Sequence, residues 1–403
     1  MRLLQVVPTV HPESGGPIEG IVQSARACQH WGCITHVLTL DSAESPWVHD
    51  FPLTVFPVGS GRPGFAYAPR LREWLERHAR GYDAVIVHGL WQYQSLCAWR
   101  ALRRSGPPYF VFPHGMLDPW GKRSHPWKYL KKSVYWLAVE HRVLRDARAV
   151  FFTAEQERLS AERTYWPFRA KSVVVPFGTT LPPDNPKVQR QAFRSLVPEL
   201  GDRRYFLFLG RIHPKKGCDL LLEAFARVAA DFPDIDVVVA GPDQIGWRRA
   251  LRARAQALGV AQRVHWPGAL TGDAKWGGIR GAAALVLPSH QENFAIVAAE
   301  AMACSVPVLI TDRVNIWREV EKDGAGLVAQ DTISGIEDLL ARFLCQEPEA
   351  NEAMRQRAKL CFDKRFDLRQ SAAQLQEIMR ELVHGGCAKG VVVHGICGRE
   401  HGS

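Results

Sequence analysis

Residues 282–288 and 306–311 are short apolar runs, and the Ala-rich stretch 294–304 between them is too long for a loop. Two buried strands joined by a helix is the arrangement such a segment dictates, and that unit belongs in a parallel sheet covered on both faces. Two carboxylates, Glu292 and Glu300, stand eight positions apart in this otherwise almost wholly apolar stretch. A separation a little over two helical turns sets them on roughly the same side, Glu292 in the loop entering the helix and Glu300 inside it. Backbone N–H groups of Asn293, Phe294, Ala295 and Ile296 at the helix start suit an anion such as a phosphate. The carboxylates are acceptors suited to hydroxyls. A ligand with both phosphate and sugar character fits this combination; so does a core helix carrying one satisfied buried Glu.

The same alternation runs along the whole chain. Apolar runs at 3–7, 36–40, 53–57, 84–88, 109–113, 149–153 and 172–176 read as strands, with helices at 18–31, 68–80 and 92–104. It restarts with strands at 205–209, 235–240 and 264–268. Repeated strand–helix units predict an α/β fold whose ligands sit at the carboxyl ends of parallel strands. Four such ends carry chemistry. After the first run comes Gly15-Gly16, a Gly-rich loop before a helix, although Gly-x-Gly-x-x-Gly is absent and, on these residues alone, a plain turn is the better explanation of the pair. His88 and His114 each precede a glycine at a strand end. The segment Gly210-Arg211-Ile212-His213-Pro214-Lys215-Lys216-Gly217 places cations around a Gly-bounded turn. Arg as a planar fork and Lys as a point charge can grip a diphosphate; a solvated basic loop is the alternative.

A chain of 403 residues is long enough for two domains with separate cores. The proline cluster at 182–186 reads as the linker between domains 1–181 and 182–367, and the helical pattern resumes from 349 to about 383. No apolar run approaches the roughly 20 residues of a spanning helix, and the apolar start has no small-residue cleavage site. Nine scattered cysteines fit reduced thiols in a cytoplasmic protein. The net charge of +10 admits nucleic acid, an anionic membrane or phosphorylated small molecules. Stretch 120–136 interleaves Lys122, Arg123, Lys128, Lys131 and Lys132 with aromatics and no acidic residue. It reads as a solvated helix face with its aromatics turned inward, or as a surface docking on an anionic bilayer at the inner face of the plasma membrane. Nucleic acid is not expected as a partner. Cys387, His394, Cys397 and His401 fit no metal motif, and the tail 384–403 is expected to be disordered.

Pro288-Ser289, Glu292, seven residues, Glu300-Ala301-Met302-Ala303 and then Pro307-Val308 resemble the signature of the retaining glycosyltransferases of family GT4. The run from Pro113 through His114 to Trp120 is similar to members that act in bacterial polysaccharide biosynthesis. The resemblance implies a GT-B fold, two Rossmann-like domains facing each other across a cleft, with residues 368–383 returning to the first. It implies a hexosyltransferase that moves a sugar from a UDP- or GDP-sugar to a glycan or lipid-linked acceptor, with no cofactor and no metal. Exopolysaccharide, lipopolysaccharide and capsule synthesis are the settings it suggests. Arg211 and Lys216 become the diphosphate clamp, Glu300 the ribose acceptor and Glu292 the sugar acceptor. Asn293, Phe294 and Ala295 line the donor, Gly15 and Gly16 face it, and His114 stands beside the breaking bond. Ala295 and Ser305 stand where the family usually has Gly, which would tighten the donor pocket. A sugar-nucleotide epimerase of the same fold, or a non-catalytic docking protein for membrane or polyanion, remains as an alternative.

Overall fold

The computed structural model describes residues 1–29, 31–59, 64–119, 126–385 and 393–394. Residues 120–125 of the basic aromatic stretch, and Cys387, Cys397 and His401 of the tail, lie outside the described residues. Two compact units appear: Met1–Gly178 together with the chain from Leu368 onward, and Thr179–Asp367.

The first unit is built on seven parallel strands, β1 (Arg2–Val7), β2 (Ile34–Thr39), β3 (Thr54–Pro57), β4 (Ala84–His88), β5 (Tyr109–Phe112), β6 (Ala149–Phe152) and β7 (Ser172–Val174). Their order is β7-β6-β5-β4-β1-β2-β3, and Val393–His394 adds a two-residue antiparallel edge on β7. The second unit holds β8 (Arg204–Leu209), β9 (Ile235–Ala240), β10 (Val264–Gly268), β11 (Ala284–Leu287), β12 (Val308–Thr311) and β13 (Gly326–Ala329). These run β10-β9-β8-β11-β12-β13. Both sheets therefore share one doubly wound order in which the chain fills one flank, then crosses to the other side of the starting strand. The gap between β8 and β11, and its counterpart between β1 and β4, are the topological switch points where such sheets open a crevice at their carboxyl ends.

Central strands such as β4 and β9 are buried along their whole length, as parallel strands with both faces covered must be. The second sheet buries Phe206 and Phe208 with Leu221, Phe225 and Ile336. The helical pattern of 349–383 is two helices, Pro348–Arg365 and Leu368–His384, broken at Phe366 and Asp367. The latter packs Met379 and Leu382 against Phe110 and Phe151 of the first unit, and Arg148 Nε donates to the Leu382 carbonyl at 2.7 Å. The proline cluster read as a linker belongs to the second unit. There the Pro183 carbonyl accepts from Gln189 Nε2 at 2.9 Å and Arg280 Nη2 at 3.2 Å. The chain passes between units at Gly178–Thr179 and again at Asp367–Leu368.

No helix among the described residues is long and apolar enough to cross a membrane. Part of the positive charge is structural: Arg100 stands in the last turn of helix Tyr93–Leu102 and Arg103 follows it, where cations offset the helix dipole. With Arg72, Glu76, Arg80 and Arg104 they line a cavity of about 530 Å³.

Candidate functional site

At the switch point of the second sheet, the loop after β8 and the loop after β11 meet. The His290 N–H donates to the Lys215 carbonyl at 2.9 Å. Gly217, the N-cap of helix Cys218–Val228, has φ +66°, and a Cβ there would lie 2.0 Å from the Pro288 carbonyl oxygen. Only glycine permits both the left-handed backbone and that approach. The loop after β11 is also tied to the loop after β12. The Glu292 N–H donates to the Arg313 carbonyl at 3.0 Å, and the Asn315 N–H to the Glu292 carbonyl at 3.1 Å.

This stitching brings the predicted second-unit residues together. Lys216 Nζ forms an ion pair with the Glu292 carboxylate. Burial, and then the charges of Lys215 and Arg211, pull the Lys216 ammonium down to about 7. Arg211 is exposed and forms no ion pair among the described residues. His213 Nδ1 accepts from the Lys215 N–H at 3.1 Å and so shapes the short turn Pro214–Lys216 that presents both lysines. Phe294 is buried edge-on against Phe366, with ring centroids 5.6 Å apart. The helix predicted from 294 begins at Ile296 and runs to Ala303, because Ala295 takes a left-handed backbone, φ +55°, as its N-cap.

Glu292 and Glu300 serve different partners. Buried Glu300 accepts from Lys275 Nζ at 2.6 Å. Lys275 is the residue that sequence reasoning missed. It sits on helix Gly272–Gly281, its ammonium 4.9 Å from the Trp276 ring centroid.

Ser305, like Ala295, lies in the left-handed region, φ +58°. It follows the C-cap of Ile296–Ala303: the Val306 N–H donates to the Ala301 carbonyl at 2.9 Å and the Ser305 N–H to that of Met302 at 3.0 Å. That is the helix-ending motif whose left-handed position glycine fills best. Ser305→Gly should therefore stabilise the protein by roughly 0.5–1 kcal/mol, and a melt of the variant should shift upward by about 2 °C. An unchanged or lower midpoint would contradict the backbone reading.

In the first unit, Gly15 has φ +73° and its carbonyl accepts from Ile18 N at 3.1 Å; Gly16 opens helix Gly16–Gln29. His114 follows β5 at φ +50°, and its Nε2 lies 2.8 Å from His88 Nδ1. Burial lowers the His114 imidazole to about 4, and burial and then His114 hold His88 well below its usual range. The Gly115 N–H donates to Glu157 Oε1 at 2.8 Å, fixing this loop from below. The Asp118 N–H closes a turn on the Gly115 carbonyl at 3.2 Å. Among the described residues, no group of three or more His, Cys, Asp or Glu is placed to hold a metal ion.

Residues 189–360 match the family described as "Glycosyl transferases group 1", and residues 15–178 match the "Glycosyl transferase 4-like domain". D-inositol 3-phosphate glycosyltransferase of Jonesia denitrificans is 30% identical over 274 residues, 65% of this chain and 63% of that protein. Its namesake from Geodermatophilus obscurus is 34% identical over 291 residues, 68% of this chain and 62% of that protein. The chain thus matches less than two thirds of the length of these relatives. Among solved structures, sucrose-phosphate synthase from Thermosynechococcus elongatus superposes with a TM-score of 0.74 at 19% identity, covering 96% of this chain and all (100%) of that one. WaaG, a glycosyltransferase involved in lipopolysaccharide biosynthesis, gives 0.68 at 17% identity, covering 94% and 99%. HepE of Anabaena, solved in complex with UDP and glucose, gives 0.72 at 16% identity, covering 94% and 100%.

Proposed function

The chain belongs to the group 1 glycosyl transferases, the GT4 family of the GT-B fold, and from that membership we propose that it transfers a sugar, with retention, from a UDP- or GDP-sugar to a glycan or lipid-linked acceptor. The observation that carries this reading is the Lys216–Glu292 pair at the switch point of the second sheet, with Arg211 on the same loop. A cation held by an anion is a ready exchange site. The diphosphate takes Lys216, and Glu292 is released to the sugar hydroxyls. Arg211, Lys216 and the first turn of Ile296–Ala303 then stabilise the negative charge that grows on the leaving diphosphate. Asn293, Phe294 and Ala295 form the wall of that site, and Glu300, braced by Lys275, accepts from the ribose hydroxyls. To the first unit the proposal assigns the acceptor, and Gly15, Gly16 and His114 as its sugar-facing residues. A panel of nucleoside diphosphates and their sugars tests the reading, since a ligand that binds only the folded state raises the melting temperature. A selective rise with one base and its sugar is expected; no rise with any of them would reject it.

A lipid-linked acceptor has a structural support of its own. On helix Pro126–Tyr135 and the π-helical turn Trp136–Glu140, Trp127, Leu130, Val134 and Leu137 are all exposed, spaced by three, four and three residues. Trp136 is buried, so only part of the aromatic set turns to the core. An apolar stripe with exposed Lys131 beside it fits an anionic bilayer surface. Phosphatidylglycerol vesicles should co-sediment the wild type, and Leu130→Glu with Val134→Glu should abolish this; equal sedimentation of both would remove the membrane assignment.

A further inference from the structure

Gln5 on β1, His88 at the end of β4 and His114 just beyond β5 come from three neighbouring strands and form one hydrogen-bonded chain. His88 Nε2 lies 2.7 Å from Gln5 Oε1, and His88 Nδ1 lies 2.8 Å from His114 Nε2. The two imidazoles and the Phe112 ring have planes within 13° of one another. Gln5 and His88 are buried.

This chain dictates where the protons are. A carboxamide oxygen only accepts, so His88 Nε2 carries the hydrogen. Two buried imidazolium rings in contact would repel, and burial disfavours the charged form of each, so both are neutral. His88 Nδ1 is then a bare acceptor, His114 Nε2 carries the hydrogen that fills it, and His114 Nδ1 is left with its lone pair. The backbone is fixed to match: His114 holds a left-handed conformation, and Glu157, which secures the next N–H, also accepts from the Thr153 N–H and hydroxyl.

We infer that Gln5 and His88 are positioning residues that hold His114 as its Nε2–H tautomer, so that His114 offers Nδ1 as a hydrogen-bond acceptor to a hydroxyl of the bound sugar and is not a proton source. The role of His114 rests on the proposed transfer; its tautomer does not.

The test uses the full chain labelled with ¹⁵N-histidine, with His114 and His88 signals assigned by loss in His114→Ala and His88→Phe. At pH 7.5 the wild type should show His114 protonated on Nε2 and bare on Nδ1. Gln5→Leu should release the chain and give His114 a mixture of tautomers. It should lower kcat for donor turnover about tenfold or more, the scale of a misoriented group, while leaving KM and nucleotide affinity within about twofold. The double variant His88→Phe with Gln5→Leu replaces the bonded pair by apolar groups of similar shape, keeps the fold and should show the same kcat loss. A wild-type His114 protonated on Nδ1 would overturn the inference, as would unchanged kcat in both variants. A wild type that binds no nucleotide-sugar would sink the transfer reading, and the tautomer measurement would still decide the positioning.

Discussion

Lys216→Ala should lose about 10²-fold in affinity for a nucleotide-sugar and for the bare nucleoside diphosphate alike, the worth of one charge-assisted hydrogen bond to phosphate. Both ligands share the diphosphate, so the losses should be equal. The carboxylate of Glu292, deprived of its cation, adds repulsion to both. Lys216→Arg should restore much of the binding, and it also exposes a pH effect. In the unliganded protein the ammonium is held down to about 7 by burial and by Lys215 and Arg211. A diphosphate favours the charged form, so binding takes up a proton whenever the lysine starts neutral. Affinity for a nucleotide-sugar should accordingly be greatest below pH 7 and fall as pH rises above it. With Arg, charged throughout, that fall should disappear. Calorimetry of wild type and both variants from pH 6 to 9 measures this. Equal affinity of Lys216→Ala and wild type would remove the clamp.

Glu292→Gln should separate the two ligands. The bare nucleoside diphosphate should bind as well as before or tighter, because the carboxylate that competes with phosphate for Lys216 is gone. The nucleotide-sugar should bind roughly 10–10²-fold more weakly relative to it, since hydroxyls lose a charged acceptor. The variant pair with Lys216→Ala closes a double-mutant cycle, and residues in direct contact should show coupling of about 0.5–3 kcal/mol. Equal losses for the two ligands would count against a sugar-facing Glu292.

The sheets were legible in the sequence because parallel strands buried on both faces appear as largely apolar runs: β4 and β9 stand where those runs are. Helix starts were less so. Ala295 has no turn residue's signature, yet its left-handed backbone delays the helix to Ile296. Lys275 and Glu300 are 25 positions apart, and no local pattern announces a bond between two helices. Gln5 looked like any polar residue in a strand; only the strand order, which puts β4 between β1 and β5, makes it a neighbour of His88. The proline cluster misled for a related reason. Proline marks a break in local structure, but whether that break lies between units or inside one depends on contacts such as Arg280 with Pro183.

The proposed reaction breaks the sugar–diphosphate bond of a nucleotide-sugar and keeps the configuration at the anomeric carbon. Proton NMR of the donor selected by melting, incubated with enzyme and without acceptor, follows its slow transfer to water. The first sugar to appear should have the anomeric configuration of the donor, before mutarotation, with release of the nucleoside diphosphate. Initial release of the opposite anomer, or a donor altered at another carbon as an epimerase would leave it, would contradict it.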